Sequence, residues 1–356
     1  MKSKQIKWHS LFTRNGYPYF MLDLALSAYL YDMKKVVGWG YKDQLFISKN
    51  DLVTSYYSES DIESFLKFIS NKKASFIKKT NKILENKILK AKHDFILIEK
   101  DILNSDNKKK LISVVQNFYS ILRDAYGVYR FPSLVDLSGG DKIFKQEVLD
   151  DCAQTKYVWG EFSNYEITRL IKKIKRKLSL ELAIPEGLIL YMNCQEICDS
   201  LKKGDTIISV SDLKKRCQFN VLMSINGKVN FYIGKQAIEI SNNLVNKNNE
   251  KEIILGRASF LGKVRGVVRI AYTVNDLKNL SKNTILVTPM TAVSFVSYLN
   301  NVIGIITDEG GLTCHASIIS RELKIPCVVG TRIATKVLKN GDKIELDANN
   351  GKINFV

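Results

Sequence analysis

Only three histidines occur in this 356-residue chain, at positions 9, 93 and 315. The third lies in the stretch TDEGGLTCHASIISREL, behind the pair Gly310-Gly311 and two residues after Thr313. The apolar run VIGIITDEGG before it reads as a buried strand entering a glycine turn, and a helix-like run begins at His315. A turn of this kind presents a helix N-terminus, where unpaired backbone N–H groups and the positive end of the helix dipole favour a phosphate. The glycines allow a second body to come close. Imidazole is a competent nucleophile near neutral pH because a useful fraction is unprotonated. Its attack on phosphorus would give an N-linked phosphohistidine, labile enough to pass the group onward. Lysine would be mostly protonated, and serine would form a more stable ester. Thr313 is a suitable N-cap, and its hydroxyl is a candidate to hydrogen-bond the ring and fix which nitrogen faces outward. Two other readings stand beside this one: a packed or capping histidine, and Cys314 as a thiol activated at the helix N-terminus.

The elements around this stretch predict an α/β unit over 254–356. Strand-like GVVRIAY, TILVTP, VIGIIT and CVVG alternate with a helix through AVSFVSYLNN and the helix at His315, and a hairpin closes the chain in DKIELDANNGKINFV. Residues 242–253, polar and without periodicity, read as a linker. Residues 151–241 read as mixed α/β: an amphipathic helix carrying Leu170, Ile171, Ile174 and Leu178, a short helix ending at Gly204, and a hairpin turning at Asn226-Gly227. Residues 1–150 read as mainly helical. Ile62, Ile69, Phe76 and Ile83 recur every seven residues as one stripe, and Leu111, Val114, Val115, Phe118, Ile121, Leu122 and Ala125 mark a second helix antiparallel to it. The segment AYGVYRFPSL then gathers aromatic residues ahead of the breaker SGGD.

A length of 356 residues predicts two or three domains, and 45% hydrophobic residues supply a core without staples. No apolar run reaches the roughly 18 to 20 residues that cross a bilayer, and the N-terminus lacks a signal peptide's apolar core, so a cytoplasmic protein with no membrane partner is expected. The six cysteines show no disulfide framework; Cys194 and Cys198 align on a helix but have no histidine or second pair near them, so buried thiols are expected and no metal. The formal charge of +18 favours polyanions in general. The lysines are spread over helix faces without a nucleic-acid motif, so a solvated surface is the stronger expectation and a nucleic-acid groove the weaker.

The stretch IITDEGGLTCHASIISRELKIPCVVGT, with GRASFLGKVRGVVRIAY and TILVTPMTAVSFV upstream and NGDKIELDANNGKI downstream, closely resembles the phosphohistidine motif of the mobile, swivelling domain of PEP-utilising enzymes. The resemblance implies a multidomain α+β protein, with a mostly helical N-terminal region followed by a C-terminal β/β/α swivelling domain. It implies that His315 is transiently phosphorylated, that Thr313 orients the ring and that Gly310 and Gly311 shape the site. Arg321 matches the family's arginine after the histidine, although six residues along a helix is a different face. Family donors are ATP with Mg²⁺ on an ATP-grasp domain, or phosphoenolpyruvate on a barrel. Residues 1–250 show no glycine-rich phosphate loop, so no tightly bound cofactor is expected here, and charging by a separate ATP-grasp partner is. The segment from Tyr191 to Ala237 is similar to the region ahead of the swivelling domain in rifampicin-phosphotransferase-like proteins, which implies that the helical region binds a small acceptor. Arg123, Tyr126, Tyr129 and Arg130 are the candidate lining, with core packing as the competing role for the aromatic residues. Two other functions remain open at this level: a phosphocarrier acting on another protein, and a basic nucleic-acid-binding protein with an inert swivelling domain.

Overall fold

The computed structural model describes residues 6–14, 17–103, 107–137, 143–244, 254–311 and 314–356. Along the chain run β1 (Trp8–Arg14), α1 (Tyr19–Ser27), a π-helical turn (Ala28–Asp32), α2 (Met33–Val37), β2 (Gln44–Lys49), β3 (Leu52–Ser58), α3 (Glu59–Ser70), α4 (Ala74–Leu103), α5 (Lys108–Leu137), α6 (Gln146–Glu161) and a second π turn (Phe162–Ile167). Then come α7 (Thr168–Leu182), α8 (Cys194–Lys203), α9 (Val210–Gln218), β4 (Phe219–Ile225), β5 (Lys228–Ile233) and α10 (Gly234–Leu244). The remainder holds β6 (Ile254–Leu255), β7 (Arg257–Phe260), β8 (Lys263–Ile270), β9 (Thr284–Thr288), a 3₁₀ stretch (Val293–Asn301), β10 (Val302–Thr307), α11 (His315–Leu323), β11 (Cys327–Val329), α12 (Ala334–Val337), β12 (Lys343–Asp347) and β13 (Lys352–Phe355). The architecture is mixed α+β, with helices dominating the N-terminal part and strands the C-terminal part.

The chain divides into two compact units. One takes in Gly16–Val53 and Tyr57–Leu244; the other takes in Lys7–Asn15, Thr54–Tyr56 and Val245–Val356. In the first, α4 and α5 pack along each other, with α6 and α8 against α5. The expected single stripe through Ile62 and Ile83 is interrupted at Asn71-Lys72-Lys73, so α3 and α4 are separate helices. What they bury is Phe65 and Ile69 on α3, and Ile77, Leu84, Ile88, Ala91, Phe95 and Ile98 on α4. Helix α5 continues through Pro132 rather than ending in the aromatic segment, and Gly127 lets it come close to the first π turn: a Cβ there would meet the Asp32 Cβ at 2.9 Å. The region is less purely helical than the periodicity predicts, because β1, β2 and β3 lie within 1–150. Strand β2 pairs antiparallel with β4, and β4 with β5, through a turn whose Asn226 and Gly227 both have positive φ, as a two-residue type I′ hairpin requires. Helix α8 carries the capping box Asn193–Glu196 and stops at Gly204 (φ 85°). Helix α10 continues to Leu244, so residues 242–244 of the expected linker are helical; the polar Asn242 and Asn243 are solvent-exposed on that last turn, where apolar periodicity gives no signal.

The second unit is built on one sheet of order β6-β13-β12-β8-β9-β10-β11-β7. Its centre, β8-β9-β10-β11, is parallel, and the flanking pairs are antiparallel. Side chains alternate between two cores. Ile285, Val287, Ile306 and Val328 face one core with α12 and the β12–β13 hairpin. Leu286, Ile305, Cys327 and Val329 face the other, under Phe295 and Leu299 of the 3₁₀ stretch and Ala316 and Ile319 of α11. Both faces of the parallel strands are covered, which is why these strands read as unbroken apolar runs.

Candidate active site at the carboxyl ends of the parallel strands

In open α/β sheets, ligands bind beyond the carboxyl ends of the strands. Strands β9, β10 and β11 are parallel, and the loops leaving all three ends are stitched together. Asp308 N–H donates to Thr288 O at 3.1 Å and Glu309 N–H to Pro289 O at 2.9 Å, while Thr331 N–H and Arg332 N–H donate to Thr307 O and Asp308 O, each at 3.0 Å. Below them the Asp308 carboxylate, buried at 8% exposure, accepts from Thr331 Oγ1 at 2.9 Å, from Thr335 N at 3.2 Å and from the Thr335 hydroxyl. Burial pushes its pKa up against these donors. This one side chain ties the ends of β10 and β11 to α12.

The glycine turn sits on that platform. Gly310 has φ 106°, and a Cβ there would lie 2.6 Å from Cys314 Sγ, so both backbone and space call for glycine. Gly311 is buried, and its carbonyl accepts from Cys314 N at 3.0 Å and from Ser317 Oγ at 2.8 Å, which fixes the first turn of α11. The N-cap of α11 is Cys314, with extended backbone and no side-chain cap. Thr313, expected as both cap and ring partner, lies outside the described residues. The capping position belongs to Cys314, the residue directly before the helix start at His315. The thiol of Cys314 contacts Ser317 Oγ at 3.3 Å.

His315 is the first residue of α11 and half-buried. Its Nδ1 lies 2.8 Å from the hydroxyl of Thr291, a buried residue three positions beyond β9. Burial lowers the imidazole pKa below its ordinary value, and Glu322, two helical turns along, opposes that shift. Arg321 lies on the last turn of α11, exposed, where a cation is favoured by the helix dipole. The structure therefore brings His315, Gly310 and Gly311 together, adds Thr291, Asp308 and Glu322, and puts Arg321 on another face. Thr291 stood inside the stretch TILVTPMTAVSFV, but nothing in a run of sequence marks which of its three threonines meets a ring 24 positions away.

The residues considered for acceptor binding are placed otherwise. Tyr126 and Tyr129 are buried at 1% and 5% exposure, packed edge-on to each other and around Trp159, with centroids 5.0 and 4.4 Å from it. Arg130 is buried with its guanidinium 5.1 Å over the Tyr129 ring. Arg123 is the part-exposed member of the four, and it forms an ion pair with Asp32 of the first π turn. One more carboxylate interrupts the otherwise buried α1: Asp23 accepts from Tyr119 Oη at 3.0 Å, and burial raises its pKa. All six cysteines are free thiols. Among the described residues no three His, Cys, Asp or Glu side chains gather as metal ligands, and no helix is long and apolar enough to cross a membrane.

Residues 280–351 match the family model described as PEP-utilising enzyme, mobile domain. A probable phosphoenolpyruvate synthase of Methanothermobacter thermautotrophicus is 45% identical over 101 residues, which are 28% of this chain and 15% of that protein. A probable phosphoenolpyruvate synthase of Archaeoglobus fulgidus is 37% identical over 119 residues, 33% of this chain and 16% of the relative. An uncharacterized phosphotransferase of Bacillus subtilis, YvkC, is 41% identical over 110 residues, 31% of this chain and 13% of the relative. The chain thus aligns with about one seventh of the length of these relatives. The family match takes in β9, β10, the glycine turn, the histidine helix, β11 and β12, so that the C-terminal part of this chain is similar to the mobile domain of PEP-utilising enzymes.

Proposed function

We propose that this chain is a phosphotransferase component in which Nε2 of His315 carries a phosphoryl group between a donor on a partner and a small-molecule acceptor taken by the helical unit. The observation that carries the reading is the 2.8 Å contact between Nδ1 of His315 and the Thr291 hydroxyl. A neutral imidazole has one N–H and one lone pair. With Nδ1–H donating to Thr291 Oγ1, the lone pair resides on Nε2, at the start of a helix behind a glycine turn. The lowered pKa keeps the ring neutral, hence nucleophilic, at pH 7. In the charging step the Nε2 lone pair forms the N–P bond as the bond from phosphorus to the donor's leaving oxygen breaks. In the discharging step an acceptor oxygen or nitrogen attacks phosphorus, and the N–P electron pair returns to Nε2.

The phosphoenolpyruvate synthase and phosphotransferase relatives support a phosphotransfer role over the matched segment. The reading places the donor, ATP with Mg²⁺ or phosphoenolpyruvate, on an ATP-grasp-type partner. The described residues of this chain gather no carboxylate set fitted to Mg²⁺, and no step above runs through one. Arg123, a third exposed beside Asp32, is the residue of the helical unit best disposed to meet an anionic acceptor.

A small-molecule donor tests the nucleophile without any partner. Potassium phosphoramidate transfers its phosphoryl group to accessible neutral imidazole, and ³¹P NMR separates the two phosphohistidine isomers. Wild type should show one acid-labile signal of the Nε2 type, absent from His315→Ala. Label spread over His9 and His93 with none at His315 would overturn the proposal.

A further inference from the structure

The outer face of α4 carries a feature that the phosphohistidine site does not use. Buried positions of this helix face α5 and α6, and its opposite side exposes Leu89, Ile96, Leu97 and Leu103 at 63%, 52%, 50% and 73%. Leu89, Ile96 and Leu103 recur every seven residues, so they form a narrow ridge drifting only about 20° per heptad over some 21 Å of helix. Six lysines share the exposed side of the helix, Lys78, Lys79, Lys82, Lys90, Lys92 and Lys100. Lys79, Lys90, Lys92 and Lys100 make no ion pair among the described residues.

Glu85 and Glu99, one turn ahead of Leu89 and Leu103, are the carboxylates of α4 that border the ridge. Glu85, Asp94, Glu99 and Asp101 are half-buried, and each is already engaged: Glu85 with Lys82 at 3.0 Å, Asp94 with His93 at 3.3 Å, Glu99 with Arg169 at 2.8 Å and Asp101 with Lys110 at 3.5 Å. The face is therefore an aliphatic ridge flanked by lysines, of which Lys78 and Lys82 are paired with Glu147 and Glu85 and the other four are unpaired among the described residues.

We infer that this face of α4 docks an acidic amphipathic helix of another protein, whose apolar stripe covers Leu89, Ile96 and Leu103 and whose carboxylates meet Lys90, Lys92 and Lys100. Charge chooses the occupant. A second copy of this chain would set lysines against lysines, which is repulsive. A nucleic acid would satisfy the lysines but leave four aliphatic side chains without a stacking partner, since the ridge holds no aromatic ring. A bilayer surface takes a broad apolar face; here Asn86, His93 and Lys100 interrupt the ridge, and they suit the polar layers between apolar layers of a two-helix contact.

The test uses the full chain and a labelled peptide of about 21 residues, helical, with leucine at heptad spacing and glutamate on both flanks. A peptide of identical composition with the leucines permuted serves as the control, and binding is read by fluorescence anisotropy. The heptad peptide should bind saturably, about tenfold more weakly when salt rises from about 50 to about 300 mM. It should lose about tenfold or more with Leu89→Asp and Ile96→Asp together, an aliphatic contact of roughly two side chains. His315→Ala should bind it as wild type does, which separates this surface from the phosphohistidine reading. These positions are exposed, and if the aspartate pair fails to fold, Leu89→Gln with Ile96→Gln replaces it. Equal binding of the permuted peptide would overturn the inference. So would ridge-dependent cosedimentation with phosphatidylserine vesicles, or ridge-dependent self-association of the chain alone.

Discussion

Of two threonines competing to hold the ring, Thr291 is the one within reach among the described residues. A threonine two residues ahead of a histidine is an obvious candidate in sequence, whereas Thr291 comes from another strand. It is delivered by the parallel register of β9 against β10, in which Thr288 stands opposite Thr307, so that the two strands end side by side. A single hydrogen bond of this kind contributes about 0.5–1.5 kcal/mol. Thr291→Val should therefore lower the rate of phosphoramidate labelling by up to about tenfold and leave a mixture of Nδ1- and Nε2-phosphohistidine, read as two ³¹P signals in place of one. A single isomer at the wild-type rate would remove Thr291 from the site. The same measurement carries a pH signature. Because burial holds the His315 pKa below the ordinary 6.5, labelling of wild type should be flat at neutral pH and decline only as pH falls through that lower value. The sign for stability agrees: the unfolded imidazole takes up its proton first, so this residue destabilises the fold as pH drops through 6.5.

Local patterns announced some elements and concealed others for identifiable reasons. The Asn226-Gly227 turn and the Gly204 stop were legible because each needs a backbone conformation that few residues adopt. Strands β1 to β3 were not, since they are short and flank a chain dominated by helical periodicity. The heptad run through Ile62 and Ile83 was misleading in a different way, for the same spacing survives across the break between α3 and α4. At the candidate site the glycine turn was readable as a turn, but its strictness becomes apparent only in the packing. Gly310→Ala would add a left-handed-region penalty and a methyl 2.6 Å from Cys314 Sγ, at the N-cap of α11. We expect about 1–3 kcal/mol of lost stability and a clear loss of His315 labelling. Gly341→Ala is the control: its φ is 93°, but nothing lies within 4 Å of the added methyl, so it should cost stability without affecting labelling. Equal labelling of both variants would mean that the Gly310 turn does not set the histidine's position.

At the scale of the whole molecule, the least legible fact is that the C-terminal unit is not contiguous. Composition places its start after the polar stretch near residue 250, but the compact unit also takes in Lys7–Asn15 and Thr54–Tyr56, more than 190 positions earlier. Sequence periodicity reports which face of an element is buried, not which distant segment buries it, and so this recruitment left no mark. Its contacts are specific. Thr13 N–H donates to the Glu309 carboxylate at 3.1 Å, in the loop that carries the glycine turn, and Thr13 and Thr54 share a hydrogen bond of 3.0 Å between their hydroxyls. The Lys336 ammonium lies 4.8 Å over the Tyr56 ring. Glu309 immediately precedes Gly310, so the N-terminal segment helps to fix the loop from which the histidine helix starts. A fragment of residues 245–356 would keep the sheet and both of its cores while losing these ties, worth about 1 kcal/mol for each hydrogen bond or cation–π contact. Its thermal midpoint, measured by differential scanning calorimetry, should fall several degrees below the transition of the same unit in the full chain. Supplying a peptide of residues 7–58 in trans should recover part of the difference, and Glu309→Gln in the full chain should reproduce part of the loss. An unchanged midpoint for the fragment would show that the two early segments touch the unit without supporting it, and that the histidine loop is held by residues 254–356 alone.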